Sequence, residues 1–97
     1  MISTEHILEF LSDRKSELAH RFGVRRIGLY GSFARGTPDE SSDIDILVEL
    51  REPKFDHLAG LQLYLEEAFG RKVDIRRISP SIRTSFARRV EREALYA

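Results

Sequence analysis

The sequence contains no cysteine and no apolar run long enough to cross a membrane. Without cysteine, the chain cannot form disulfides, thiolate nucleophiles or zinc sites built on sulfur ligands. The N-terminal residues MISTEHILEF include neither a basic start nor a long apolar stretch, so we expect no secretory leader and no membrane partner. These absences predict a cytoplasmic protein.

An excess of charge of one sign is also missing. Sixteen Lys and Arg residues balance sixteen Asp and Glu residues, which gives a formal net charge of zero. This balance does not favour nucleic acid as a partner, because non-specific binding to phosphate backbones depends on an excess of positive charge. Any charged function must therefore come from local clusters, such as the acidic residues between Asp39 and Glu49.

The chain length of 97 residues predicts one domain over residues 1–97. A domain of this size buries only a small core, so a partner that covers apolar surface would add stability. We therefore expect a protein partner, with a homo-oligomer as the alternative when no partner is present.

Helix-capping residues, helical apolar spacing and stop residues predict about four helices. The first begins at Ser3 or Thr4 and ends before Gly23. Another covers residues 56–69, and a last helix follows Ser79-Pro80-Ser81. A short helical turn lies between the first two predicted strands.

Three short segments alternate apolar and polar residues and are predicted to be strands: residues 25–30, 43–50 and 72–78. The helix between the last two predicts that they lie parallel, joined by a right-handed crossover. With the first strand antiparallel to the second, the pattern predicts a layered α+β fold in which a small three-stranded mixed sheet is flanked by helices.

Three aspartates are predicted to share one end and one face of this sheet. Asp43 and Asp45 are two residues apart, and Asp74 has the same face parity on the neighbouring strand. Carboxylate oxygens are the ligands that Mg²⁺ prefers. A single aspartate at a strand end usually belongs to a turn or a cap, but three in register favour a metal site that relieves their mutual repulsion.

A second element, Gly31-Ser32, directly follows the first predicted strand. Glycine lets the backbone approach a phosphate, the N–H groups that open a helical turn attract anions, and serine adds a hydroxyl donor. By itself such a turn is more often an ordinary connection between a strand and a helix. Followed by Asp-x-Asp, it predicts a phosphate site beside a metal site, as nucleotide transfer requires.

The segment GSFARGTPDESSDIDILV resembles the signature of the DNA polymerase β-like nucleotidyltransferase superfamily, in which Gly-Ser precedes a hydrophobic strand bearing two catalytic acids. The short chain, Ser42 before Asp43, VDI around Asp74 and the C-terminal REALY are similar to the minimal nucleotidyltransferase (MNT) group. These are the MntA-like antitoxins of HEPN/MNT toxin–antitoxin pairs. The resemblance covers nearly the whole chain and implies the polymerase β-like nucleotidyltransferase fold.

The resemblance also implies a set of site residues. Asp43 and Asp45 would bind magnesium and, through it, the triphosphate of ATP, while Gly31 and Ser32 would hold the outer phosphates. Asp74 would complete a second magnesium site and favour deprotonation of the attacking hydroxyl. All three aspartates would then be both catalytic residues and metal ligands, with ATP as the substrate.

The implied reaction transfers AMP from ATP to a protein, namely to a tyrosine of a HEPN-family RNase toxin that is thereby silenced. Two alternatives stay open. One is a non-catalytic antitoxin that neutralises the toxin by direct binding, and the other is a transferase that acts on a small molecule or an RNA end. A chain this short has no obvious second domain to grip such substrates, which favours a protein acceptor.

Overall fold

The computed structural model describes residues 2–52, 54–78 and 85–97, which form five helices and four strands. The helices are α1 (Thr4–Asp13), α2 (Lys15–Phe22), α3 (Gly31–Arg35), α4 (Phe55–Phe69) and α5 (Ser85–Glu93). The strands are β1 (Val24–Tyr30), β2 (Ile44–Leu50), β3 (Val73–Arg77) and β4 (Leu95–Tyr96). They build one mixed sheet in the order β3-β2-β1-β4, so the predicted layered α+β fold is confirmed. Every helix in these ranges is too short or too polar to serve as a membrane span.

The single N-terminal helix that the sequence predicts is divided into α1 and α2. Ser3 caps α1, because its hydroxyl accepts a hydrogen bond of 3.0 Å from the backbone N–H of His6. At Arg14 the backbone leaves helical geometry (φ −105°, ψ 11°), and α2 begins at the next residue. No glycine or proline marks this break, so apolar spacing alone predicts a continuous helix. The predicted stop at Gly23 is confirmed, with φ at 69° in the left-handed region.

The relative direction of neighbouring strands follows from the segments that connect them. β2 is parallel to β3, to which α4 connects it, and antiparallel to β1, as predicted. The prediction of three strands was wrong, because β4 adds a fourth through the pairs Gly28↔Tyr96 and Leu29↔Leu95. Two residues are too few to show strand alternation, so no sequence pattern indicates β4. The predicted start of the last helix, at residues 79–81, lies outside the described residues.

One face of the sheet builds the core. Ile44, Ile46 and Val48 alternate along β2 and are fully buried, as their spacing predicts. They join a cluster with apolar residues from α1, α2 and α4: Ile7, Leu11, Leu18, Phe22, Leu61, Leu65 and Phe69. The intervening positions of β2 include Asp45 and Glu49, which lie on the other face. The sheet therefore packs against the helices with one face and carries the charged residues of β2 on the other.

Two leucines of α4 offer a matched test of this core. Leu65 is fully buried, whereas 67% of Leu63 is exposed. We expect Leu65→Ala to lower the free energy of unfolding by about 3 kcal/mol, because it removes buried apolar contacts and leaves a cavity. Leu63→Ala should change that free energy by less than about 0.5 kcal/mol. Urea unfolding measures both, and equal losses would contradict this assignment of the core.

Candidate functional site

Strand pairing brings the predicted acidic residues to one end of the sheet. Asp45 lies in β2, and its partner in the parallel pairing with β3 is Asp74. Asp43 precedes the first residue of β2, Ile44. Asp45 is half-buried, while Asp43 and Asp74 are exposed. Three carboxylates, two in neighbouring strands and one directly before β2, therefore share one region of the surface.

The electrostatics of Asp45 reflect this crowding. Burial raises the pKa of the Asp45 carboxyl above its ordinary value, and the negative charges of Asp74 and Asp43 raise it further. Arg76 and Arg35 act in the opposite direction but do not cancel the effect. The folded protein thus holds a carboxylate where its ionised form is disfavoured.

Whether these residues fit a metal ion depends on both their spacing and their chemistry. Within the described ranges, no three His, Asp or Glu side chains lie close enough together to hold a metal ion as they stand. Their chemistry nevertheless fits a hard divalent cation, because carboxylate oxygens are its preferred ligands. A cation would also offset the repulsion that raises the pKa of Asp45. The magnesium ligands stay a prediction.

The Gly31-Ser32 turn lies directly against Asp45. β1 ends at Tyr30 and α3 begins at Gly31, whose φ of 75° is in the left-handed region. A Cβ on Gly31 would collide with the Asp45 carboxylate, whose carbon lies 3.0 Å from the Cβ position. Ser32 follows in the first turn of α3 and is half-buried. The predicted phosphate element and the predicted metal ligand are therefore neighbours.

The loop before Asp43 is held by a residue that the sequence analysis missed. Nη1 of Arg71 donates hydrogen bonds to three backbone carbonyls, at 3.4 Å to Asp39, 3.1 Å to Glu40 and 2.7 Å to Ser42. Within the loop, the Asp39 carboxylate accepts hydrogen bonds from the backbone N–H and the hydroxyl of the same serine, residue 41. An arginine after a helix-ending glycine gives no sequence signal for this role. Arg71 therefore fixes the approach to the acidic cluster.

Tyr30 and Arg76 complete the charged surroundings of the acids. Tyr30 is paired with Asp45 across β1 and β2. Burial raises the pKa of the Tyr30 hydroxyl, and the charges of Asp45 and Asp74 raise it further, whereas the charge of Arg76 and a hydrogen bond with it lower that pKa. Nε of Arg76 also lies 4.0 Å from a carboxylate oxygen of Asp74. The position of Tyr30 directly before Gly31, at the end of the strand, is a sequence signal that could have assigned it to the site.

Two glycines with the same backbone conformation test the contact between the turn and the acid. The φ angles of Gly31 and Gly36 are 75° and 76°, so alanine would be strained equally at both positions, by about 1–2 kcal/mol. Only at Gly31 would the new methyl group meet another residue, Asp45, since nothing lies within 4 Å of a Cβ on Gly36. We expect Gly31→Ala to lower the melting temperature and the affinity for Mg-ATP more than Gly36→Ala. Equal effects in thermal unfolding and calorimetry would refute a special need for glycine at position 31.

Comparison with known proteins assigns the chain to a family. Residues 8–97 match the nucleotidyltransferase domain. The chain is 42% identical over 97 residues to the protein adenylyltransferase MntA of Thermococcus cleftensis, and the match covers 99% of this chain and 97% of that protein.

Solved structures agree with this assignment. A structure described as a minimal nucleotidyltransferase matches with a TM-score of 0.70 at 35% identity, covering 91% of this chain and 93% of the other. A toxin–antitoxin structure with AMP-PNP gives a TM-score of 0.68 at 24% identity, covering 87% and 69%. The tri-AMPylated HEPN toxin of Shewanella oneidensis in complex with MNT antitoxin gives 0.61 at 20% identity, covering 92% and 70%, which shows a shared fold. The chain therefore belongs to the nucleotidyltransferase domain family and is an enzyme of that family with a polymerase β-like fold.

Proposed function

We propose that this enzyme transfers AMP from ATP, with magnesium, to a tyrosine of a HEPN-family toxin and acts as the antitoxin of that toxin. The similarity to a protein adenylyltransferase supports protein as the acceptor. Structures with the same fold have been solved with AMP-PNP and with an AMPylated HEPN toxin, which supports ATP as the donor and a HEPN toxin as the partner.

One observation carries this proposal: Asp45 is paired with Asp74 while its carboxylate lies against Gly31. A nucleotidyltransferase must hold the phosphates of its donor next to the groups that stabilise the negative charge of the transition state. The contact between the Gly31-Ser32 turn and Asp45 meets this requirement within one short segment of the sheet.

Three tasks would then be divided among the site residues. Asp43 and Asp45 would hold magnesium, Asp74 would complete a second magnesium site, and Gly31 and Ser32 would hold the outer phosphates. Magnesium, when bound, would stabilise negative charge on the triphosphate and on the leaving pyrophosphate. The raised pKa of Asp45 is consistent with a carboxylate whose charge needs such a counterion.

The reaction is an in-line displacement at the α-phosphorus of ATP. The tyrosine oxygen of the acceptor forms a bond to that phosphorus, and the bond between the phosphorus and the bridging oxygen breaks. Pyrophosphate leaves with the electron pair of the broken bond. Asp74 lies beside Asp45 at the exposed edge of the site, where it can accept the proton of the attacking hydroxyl.

A second candidate function is neutralisation of the toxin by binding alone. It is favoured by a solved structure of the same fold in which an MNT antitoxin is bound to its HEPN toxin. The two functions differ in one measurable respect, since only the enzyme changes the mass of its partner.

Asparagine variants of the three acids test the enzymatic function. We expect Asp43→Asn, Asp45→Asn and Asp74→Asn each to slow AMP transfer at least roughly a hundredfold, because the amide keeps the size of the side chain but loses its charge. Binding of ATP should survive best in Asp74→Asn, whose task is the second metal ion and the hydroxyl. Asp13→Asn, at the exposed end of α1, is the matched control and should leave transfer unchanged.

The assay incubates each variant with labelled ATP, magnesium and the HEPN protein from the same organism, followed by mass spectrometry of the partner. Added AMP on a tyrosine with wild type and the control, but not with the three variants, is the expected result. Transfer at the wild-type rate by all three variants would show that the carboxylates are not catalytic. Neutralisation of the toxin by wild type without a mass change would replace the enzyme with the binding function.

A further inference from the structure

Four basic side chains gather at the end of the sheet opposite to the acids. Lys15, Arg25 and Arg26 line a cavity of about 270 Å³ at the start of β1. An adjoining cavity of about 350 Å³ shares Lys15 and Arg25 with the first and adds Arg51. We call these four residues the basic surface.

A β-bulge positions two of these arginines. The register between β1 and β2 shifts between Val24 and Arg26, which leaves Arg25 as an extra residue in β1. Both arginines consequently reach the same carboxylate: Nε of Arg25 lies 3.5 Å and Nη1 of Arg26 lies 3.9 Å from oxygens of Glu49. The guanidinium carbon of Arg26 also lies 4.3 Å from the centre of the Tyr96 ring. The two guanidinium groups are therefore held in place before any ligand binds.

The basic surface has an excess of positive charge. Glu49 is buried and faces Arg25 and Arg26. Among the residues that the structure describes, neither Lys15 nor Arg51 forms an ion pair, and both are exposed. A net charge of zero for the whole chain therefore conceals a strongly basic region.

We propose that the basic surface binds an acidic, carboxylate-rich segment of the acceptor protein. Guanidinium groups bind carboxylates through paired hydrogen bonds, and two of them side by side match successive acidic residues of a peptide. Arg25, the first residue of the basic surface in β1, is six residues from Gly31. About 20 Å of strand therefore separates the basic surface from the acidic end of the sheet. A partner held at this distance leaves the acidic end of the sheet open for nucleotide. This inference rests on the proposed function, because it concerns the acceptor of that reaction.

A protein segment fits the surface better than RNA does. Recognition of single-stranded RNA uses open aromatic faces on which bases stack. The aromatic ring in this cavity, that of Tyr96, has the Arg26 guanidinium over its face. The exposed Leu95 adjoins Tyr96 in β4, and an apolar residue beside charged ones is typical of a protein interface.

Binding of a short acidic probe tests the inference without any need for catalysis. The probe is a fluorescein-labelled decapeptide of glutamate, and its binding to the full chain is followed by fluorescence anisotropy. Lys15→Gln/Arg51→Gln removes two charges without depriving Glu49 of its partners. We expect this variant to bind the peptide roughly tenfold more weakly than wild type. Lys72→Gln/Arg88→Gln removes two exposed charges outside both cavities and is the matched control, with unchanged affinity expected.

A second variant tests the two arginines at the bulge. Arg25→Gln/Arg26→Gln alone would leave Glu49 buried without a partner and could fail to fold, so it is combined with Glu49→Gln. We expect the triple variant to fold, to bind Mg-ATP as wild type does, and to lose at least as much peptide affinity as Lys15→Gln/Arg51→Gln. With the natural acceptor, both variants should raise the KM for the protein and leave kcat unchanged.

The outcomes separate this inference from the proposed function. Absence of AMP transfer by wild type would overturn the proposed function, whereas binding of the peptide would be unaffected. Equal binding by Lys15→Gln/Arg51→Gln and its control, or no binding by wild type, would overturn the inference. Preferential binding of a labelled ten-nucleotide single-stranded RNA over the peptide would also overturn it and would assign the surface to nucleic acid.

Discussion

The register of β2 against its two neighbours is the constraint on which the site depends. Asp45 is paired with Tyr30 on one side and with Asp74 on the other. The register of β2 therefore determines both the distance between the aspartates and the position of Asp45 against Gly31. A shift of one residue would turn Asp45 into the core and move both Ile44 and Ile46 towards solvent. The buried residues of β2 that stabilise the fold therefore also align the charged residues of the site.

This arrangement has an electrostatic cost that the rest of the fold must offset. Asp45 is half-buried beside two other carboxylates, and the opposing charges of Arg35 and Arg76 relieve its raised pKa only in part. Sites that act on charged substrates often lower the stability of the protein that carries them. The basic surface lies at the other end of the same strands. A chain with no net charge thus presents two regions of opposite sign.

Elements with a long, regular sequence pattern could be predicted, whereas short elements and contacts between distant residues could not. The alternation in β2 and the crossover through α4 sufficed to place Asp43, Asp45 and Asp74 at one end of the sheet. The break at Arg14 involves no glycine or proline, and β4 has only two residues, so neither leaves a local pattern. The hydrogen bonds from Arg71 to the loop before Asp43 join residues that are about 30 positions apart in sequence. Such contacts depend on the finished fold, and spacing alone does not reveal them.

We propose that Asp45 destabilises the folded protein when no cation is bound and binds a cation during the reaction. Thermal unfolding of wild type and Asp45→Asn, with and without Mg-ATP, tests it most directly. Because the pKa of Asp45 is raised in the folded state, its contribution to stability is lost as the pH rises through that pKa and is restored in acid. We therefore predict that metal-free Asp45→Asn melts higher than wild type at neutral pH, that this difference shrinks in acid, and that only wild type is stabilised by Mg-ATP. A metal-free variant that melts lower than wild type at neutral pH, or one that Mg-ATP stabilises equally, would contradict the account.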